Sequence, residues 1–181
     1  ITESGTSNGA INFTGTSTQT YTKSGGTFSN NINFAINAGA TVDFGTSVLD
    51  GSAGTFTLAS TGKIITSNAG GIPSTITVTG TKSYNSGADY EFRGAATGTF
   101  TTTPTAATVR NLTVNNAGGD VTLSQPLTVT GVLALTAGAL TTTAVNLVTV
   151  SATGSTSGTS YVNGPMSKVG TTAFTFPVGK S

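Results

Sequence analysis

The sequence predicts an all-β chain: a right-handed parallel β-solenoid (β-helix) with about 22 residues per coil. Three observations carry that expectation. Forty Thr, 25 Gly, 19 Ser and 13 Asn together make up 97 of the 181 residues, a mixture that suits strand positions and tight turns. Apolar and polar residues alternate in short runs, the period of a half-buried strand. Those runs return at intervals of 21 or 22 positions, and such a period, built from short strands and Gly/Asn turns, describes one coil of a solenoid.

Taken in order, the first element is Ile11-Asn12-Phe13, which returns 21 positions later as Ile32-Asn33-Phe34. Phe34 leads after 22 positions to Phe56, and Phe56 after another 22 to Val78. The same interval links Phe92 to Val114, and 21 positions separate Val114 from Leu135. A second pattern keeps the same frame, an apolar-x-apolar strand followed by a glycine and a further apolar residue. It reads Phe34-Ala-Ile36 to Gly39 and Val42, then Phe56-Thr-Leu58 to Gly62 and Ile64, then Leu133-Ala-Leu135 to Gly138 and Leu140. In a stack of parallel coils like residues lie over each other. Phe13, Phe34, Ile36, Phe56, Leu58, Val78, Phe92, Val114 and Leu135 are therefore the expected inward core, and Thr57, Thr77, Thr113 and Thr122 the outward rows. A chain of this length makes about eight coils, a rod of ~40 Å at ~4.8 Å per coil. The rival all-β arrangement is an antiparallel sandwich, with strands every ~8–12 residues; it does not require a shared 22-residue register.

Residues 1–150 read as solenoid coils, with a lateral loop near 94–108 where inward alternation stops and Pro104 removes a ladder donor. Residues 151–160, SATGSTSGTS, read as a flexible Ser/Thr/Gly connection, and 161–181 as a terminal coil or the start of a following module. Both ends read as cut from a longer chain. No apolar run approaches the ~20 residues of a membrane-spanning helix, and Ile1 opens no basic or apolar leader.

Composition narrows the chemistry. Seven Lys+Arg stand against six Asp+Glu, too weak a field for nucleic-acid or anionic-membrane binding by counterion release. Without His or Cys, imidazole catalysis, thiol nucleophiles, disulfides and the usual zinc sites are excluded.

The C-terminal half resembles a family of large secreted, adhesin-like surface proteins of Bacteroidetes-type bacteria. The resemblance rests on Tyr90-Glu-Phe-Arg-Gly94, Val109-Arg-Asn-Leu-Thr-Val-Asn-Asn116, Val121-Thr-Leu-Ser124 and Leu127 to Leu135. Ser160-Tyr-Val-Asn-Gly-Pro-Met166 and Phe174-Thr-Phe-Pro-Val-Gly179 complete it, so that it covers roughly residues 76–181. It implies parallel β-helix stalk segments, exported as type IX secretion cargo, whose motif positions are structural and include no catalytic residue. The sorting domain that often accompanies that family is not among these residues.

Few residues invite a chemical role. Asp89, Glu91 and Arg93 alternate with Tyr90 and Phe92, so the three charges share an outer face. They are a candidate ligand or cation row, or a carboxylate pair for glycoside cleavage; the plainer expectation is a solvated ion-pair row that keeps the strand soluble. Asp43, Asp50 and Asp120 are scattered, and no Gly-Gly-x-Gly-x-Asp calcium repeat is present. The basic residues show no cluster of the kind polysaccharide lyases use. Thr-x-Thr groups at 55–57, 75–79, 99–101 and 128–130 suggest an ice-matching face, although Thr is also the commonest residue. Asn12-Phe-Thr14 and Asn111-Leu-Thr113 fit the glycosylation acceptor pattern, and Asn30, Asn31, Asn37, Asn115 and Asn116 are expected to cap turns.

The expected function is a structural or adhesive stalk segment of an extracellular, cell-surface bacterial protein or fibre. It is not an enzyme and needs no catalytic residue, metal or cofactor. The alternatives are a self-stacking filament subunit and a glycan- or ice-binding solenoid, although the lack of Trp and the presence of only four Tyr make a sugar platform hard to build. The expected partners are neighbouring coils or modules of the same long chain or stacked copies, and surface glycans, with no nucleic acid and no membrane insertion.

Overall fold

The structure is a computed structural model that describes residues 9–28, 30–94, 98–100 and 108–179. Its first strands are β1 (Gly9–Phe13), β2 (Thr18–Thr20), β3 (Ile32–Ile36), β4 (Thr41–Asp43), β5 (Phe56–Leu58) and β6 (Lys63–Thr66). A five-residue helix, α1 (Gly71–Thr75), precedes β7 (Lys82–Tyr84), β8 (Asp89–Arg93), β9 (Gly98–Phe100) and β10 (Thr108–Val109). Next come β11 (Asn111–Asn115), β12 (Val121–Leu123), β13 (Leu127–Val129), β14 (Val132–Ala137) and β15 (Leu140–Thr141). The last are β16 (Val148–Val150), β17 (Ser155–Gly158), β18 (Val162–Asn163), β19 (Met166–Lys168) and β20 (Val178–Gly179).

Every strand pair among the described residues is parallel, which makes the chain a β-solenoid and excludes the antiparallel sandwich. One long sheet runs the height of the stack in the order β17-β14-β11-β8-β6-β4-β2. The side that precedes it in each coil is β1-β3-β5-β7 below and β10-β13-β16-β19 above. The side that follows it is β9-β12-β15-β18-β20, continued downward by α1, against which β9 packs. The long sheet counts seven strands where eight coils were expected. At ~4.8 Å per strand spacing its height is ~29 Å.

Register gives the coil lengths directly. They are 23 residues from Thr18 to Thr41, 22 from Thr41 to Lys63, 26 from Lys63 to Asp89 and 22 from Asp89 to Asn111. The next two are 21 from Leu112 to Leu133 and 23 from Leu133 to Thr156. The predicted pairs Phe34–Phe56, Phe92–Val114 and Val114–Leu135 are in register. Two others need correction. Phe13 lies opposite Ile36 and Ile11 opposite Phe34, a shift of 23 rather than 21; a two-residue slip keeps each side chain on its face, so alternation alone could not exclude it. Phe56 lies opposite Lys82, not Val78. The coil between them is four residues longer than its neighbours because it houses α1, and Val78 is buried just past the Leu49–Ile76 bridge on another side.

The core is a set of vertical columns. Val42, Ile64, Tyr90, Leu112 and Leu133 stack in the long sheet and are each 0% exposed. Phe34, Ile36, Phe56, Leu58, Val78, Phe92, Val114 and Leu135 are buried as expected, whereas Phe13, in the first coil, is only partly covered. Thr66 is polar and yet buried. Its Oγ1 lies 2.6 Å from that of Thr75 on α1, and Thr75 Oγ1 donates to the Gly71 carbonyl at 2.8 Å, so neither hydroxyl is left unsatisfied. The turn after β3 uses Gly39 at φ +77°, and the equivalent turn one coil up uses Thr61 at φ +61°, not the expected Gly62. The Gly39 N–H donates to Thr61 Oγ1 at 3.0 Å, tying the two turns together.

Two segments differ from their sequence reading. Ser151–Ser160 was expected as a flexible connection, yet Ser155–Gly158 forms β17 and pairs with β14. Its Ser, Thr and Gly meet the ladder through backbone groups, which composition does not report. Within the expected 94–108 loop, β9 pairs with β12; residues 95–97 and 101–107, with Pro104, lie outside the described residues.

Candidate functional site

Asp89, Glu91 and Arg93 project from the outer face of β8, alternating with buried Tyr90 and Phe92. Each meets a partner on another coil. Asp89 accepts from Arg110 Nε at 2.8 Å and Nη2 at 2.5 Å, and its Oδ1 also accepts from Asn111 Nδ2 at 3.0 Å. Lys63 Nζ donates to Glu91 at 2.6 Å, and Arg93 Nη2 donates to Asp43 at 2.5 Å. The hydrogen bond from Arg110 to Asp89 raises the guanidinium pKa further above its usual value.

The Arg93–Asp43 pair spans β8 to β4 and so crosses β6. In register between Asp43 and Glu91 lies Ile65, an outward position that is nonetheless 4% exposed. Arg93 reaches past that position to Asp43, and Lys63 leaves the same strand for Glu91; long cationic side chains lay methylenes on apolar surface and keep their heads in water, which is the cover expected for Ile65. The row thus stitches β4, β6, β8 and the start of β11 together over an outward-facing but covered isoleucine. Replacing Arg93 by Met keeps a stem over Ile65 and removes the charge, an expected cost of ~0–1 kcal/mol. Arg93→Ala also uncovers Ile65 and is expected to cost more. Urea melts of the two variants decide this, and equal losses would contradict the covering role.

A shallow depression of about 230 Å³ lies on the same face, bordered by Lys63, Asp89, Asn111 and Val132. A second cavity, about 300 Å³, is formed by the loop from Tyr21 to Phe28. There Lys23 Nζ lies 2.6 Å from Asp50 and 5.4 Å from the Phe28 ring centre. Burial, and then the Asp50 charge, push the Tyr21 phenol up to about 12. Neither cavity holds two carboxylates facing each other, the arrangement glycoside cleavage needs. Among the described residues no group of three or more acidic side chains could hold a metal ion, and no helix is long and apolar enough to cross a membrane.

The threonine groups are placed unequally. Thr55 and Thr57 face out, but their register neighbours below are Asn33 and Ala35, while Thr75 is buried; residue 101 lies outside the described residues. Hydroxyl residues stand in register at Thr108, Thr128, Thr149 and Ser167, and again at Thr99, Thr122 and Thr141.

Sequence reasoning found the β8 row and missed its partners Asp43, Lys63, Arg110 and Asn111. Lys63 and Asp89 are 26 apart, out of phase with a 22-residue period. The signal available was Gly70-Gly71-Ile72-Pro73, a turn-and-helix start that marks the insertion. The asparagines also do more than cap turns. Asn33 Oδ1 accepts from the Thr55 N–H and hydroxyl one coil up, and Asn111 Oδ1 accepts from the Val132 N–H at 2.7 Å. Asn30 takes φ +67°, and Asn116 Nδ2 donates to the Gly119 carbonyl, the turn roles expected. Asp120 Oδ1 accepts from the Ala139 N–H at 2.9 Å.

No family model, no curated protein and no solved structure matches the chain.

Proposed function

We propose that this chain is a structural or adhesive stalk segment of an extracellular bacterial surface protein or fibre. The observation that carries the reading is the outer face of the long sheet, where the charged row is committed to partners on other coils, one or two levels away. A face built to recognise a ligand leaves convergent polar groups open to it; here those groups fasten one coil to the next. With seven parallel strands in one sheet and a continuous apolar column behind them, the result is a stiff spacer. It works by length and rigidity, holding a neighbouring binding region away from the cell.

Immunogold electron microscopy with antibodies against this chain, on intact cells of its source organism, tests the proposal. Gold on the envelope or on thin surface projections is expected. Labelling that appears only after the cells are opened would overturn the extracellular assignment.

A further inference from the structure

One corner of the stack leaves its polar groups unused. It follows β2, runs from Tyr21 to Phe28, and forms the cavity of about 300 Å³. Its start is tied down: the Tyr21 N–H donates to the Asp43 carbonyl at 2.8 Å, and the Lys23 N–H donates to Ser47 Oγ at 3.2 Å. Its two aromatic walls are held by the core. Tyr21 packs on Phe44 with ring centres 5.3 Å apart, and Phe28 packs edge to face on Phe34 at 5.6 Å. Both are only half-buried, and both line the cavity.

Between those walls the main chain is unpaired. From Ser24 to Phe28 no backbone N–H or C=O has a hydrogen-bond partner among the described residues. Gly25 and Gly26 leave it bare as well, since nothing lies within 4 Å of a Cβ at either position. Lys23 Nζ gives one donor to Asp50 at 2.6 Å and has two left. Asp50 Oδ1 and the Tyr21 hydroxyl are buried with no hydrogen-bond partner, an arrangement that native structures rarely leave idle. The β8 row has the opposite habit, with its charges used within the stack.

We infer that the Tyr21–Phe28 corner is a binding site for one sugar residue of a neutral glycan. Three properties select that class. The cavity lies at the small end of the ~300–1,000 Å³ range of small-molecule sites, which gives room for a single ring. Its charge cancels, because Lys23 is the charged residue that lines it and the Asp50 carboxylate neutralises the ammonium; an anion would meet the carboxylate and a cation the ammonium. Its free groups are donors and acceptors together, set beside aromatic surface. A sugar matches that mixture, since each hydroxyl both donates and accepts while the C–H face of the ring packs on an aromatic wall. Rings already fixed by the core need no ordering on binding, which limits the entropic cost. Such a site works whether or not the chain is a stalk; on a stalk it supplies the adhesive contact.

Amide NMR titration of the chain with glucose, galactose, mannose and N-acetylglucosamine, each in its own sample, tests the site, with glucuronate and inorganic phosphate as charged probes. At least one neutral sugar is expected to give saturable shifts with a millimolar Kd, confined to Asp50 and the Tyr21–Phe28 corner. A Lys23→Gln/Asp50→Asn variant keeps a neutral hydrogen-bonded pair. It is expected to bind that sugar roughly tenfold more weakly, because hydrogen bonds to charged groups are the stronger kind. Unmoved corner signals with every neutral sugar would overturn the inference, as would shifts centred on the β8 row or tighter binding of glucuronate or phosphate. Undiminished affinity in a variant whose core signals at Ile64 and Leu112 match the wild type would also overturn it. Gold on the envelope with silent corner signals removes this site and leaves the stalk; sugar binding with gold only inside opened cells does the reverse.

Discussion

Phe56→Ala is expected to destabilise the chain by ~3–5 kcal/mol, the range for deleting a fully buried aromatic side chain. Phe56 is 0% exposed. Phe34 lies in register below it, Lys82 in register above, and the Tyr84 ring centre is 5.6 Å away. The size of such a loss depends on how far the surroundings can collapse into the cavity. In this fold they can collapse little, because the vertical spacing of the coils is set by backbone pairing at ~4.8 Å and not by the side chains between them. The cavity therefore persists, and its lining loses dispersion contacts outright. Because each coil touches only its neighbours, the defect also weakens the coupling between the coils below and above it, and unfolding is expected to lose its all-or-none character. Calorimetry alongside a urea melt separates the two effects. A loss under ~1 kcal/mol would mean that the column is not a packed one. Phe13→Ala, at a partly covered position of the first coil, is expected to cost less.

The comparison of those two phenylalanines also shows what the sequence could reveal. Alternation of apolar and polar residues reports the parity of a position, and parity was enough to place Phe34, Phe56, Phe92 and Leu135 inside. It does not report phase from coil to coil. A shift of two residues at Phe13, or of four at Val78, leaves every side chain on its face. The ion-pair row depends on phase, because Lys63 meets Glu91 and Arg93 meets Asp43 only once the four extra residues of the α1 coil are counted. Strand β17 was hidden for a different reason. Its Ser155-Thr-Ser-Gly158 contributes backbone hydrogen bonds to β14 and almost no apolar surface, and hydrophobic periodicity is blind to a strand held in that way.

Gly54→Ala is expected to cost about as much as a core truncation, ~3 kcal/mol or more, although it adds a single methyl group. A Cβ at this position would sit 1.8 Å from the Ile32 carbonyl oxygen and 2.4 Å from its carbon. The conflict is one of space: Gly54 marks the corner where one coil passes directly over the backbone of the coil below. Overpacking among side chains costs ~1–3 kcal/mol because rotamers yield. Here the opposing atoms are main chain, and they are held on both sides. The Ile32 N–H donates to the Gly51 carbonyl at 3.1 Å, and the Phe34 N–H donates to the Thr55 carbonyl at 2.8 Å. Making room for the methyl group pulls at both bonds and at the Phe34–Phe56 contact beside them. The crowding repeats one coil higher, where a Cβ on Gly80 would lie 2.5 Å from the carbonyl oxygens of Ala53 and Gly54. Gly25→Ala supplies the control. Nothing lies within 4 Å of a Cβ there, so its effect should stay within ~0.5 kcal/mol of wild type. If melts of the two alanine variants gave the same midpoint, the close passage of the coils at Gly54 could not be what holds that corner together.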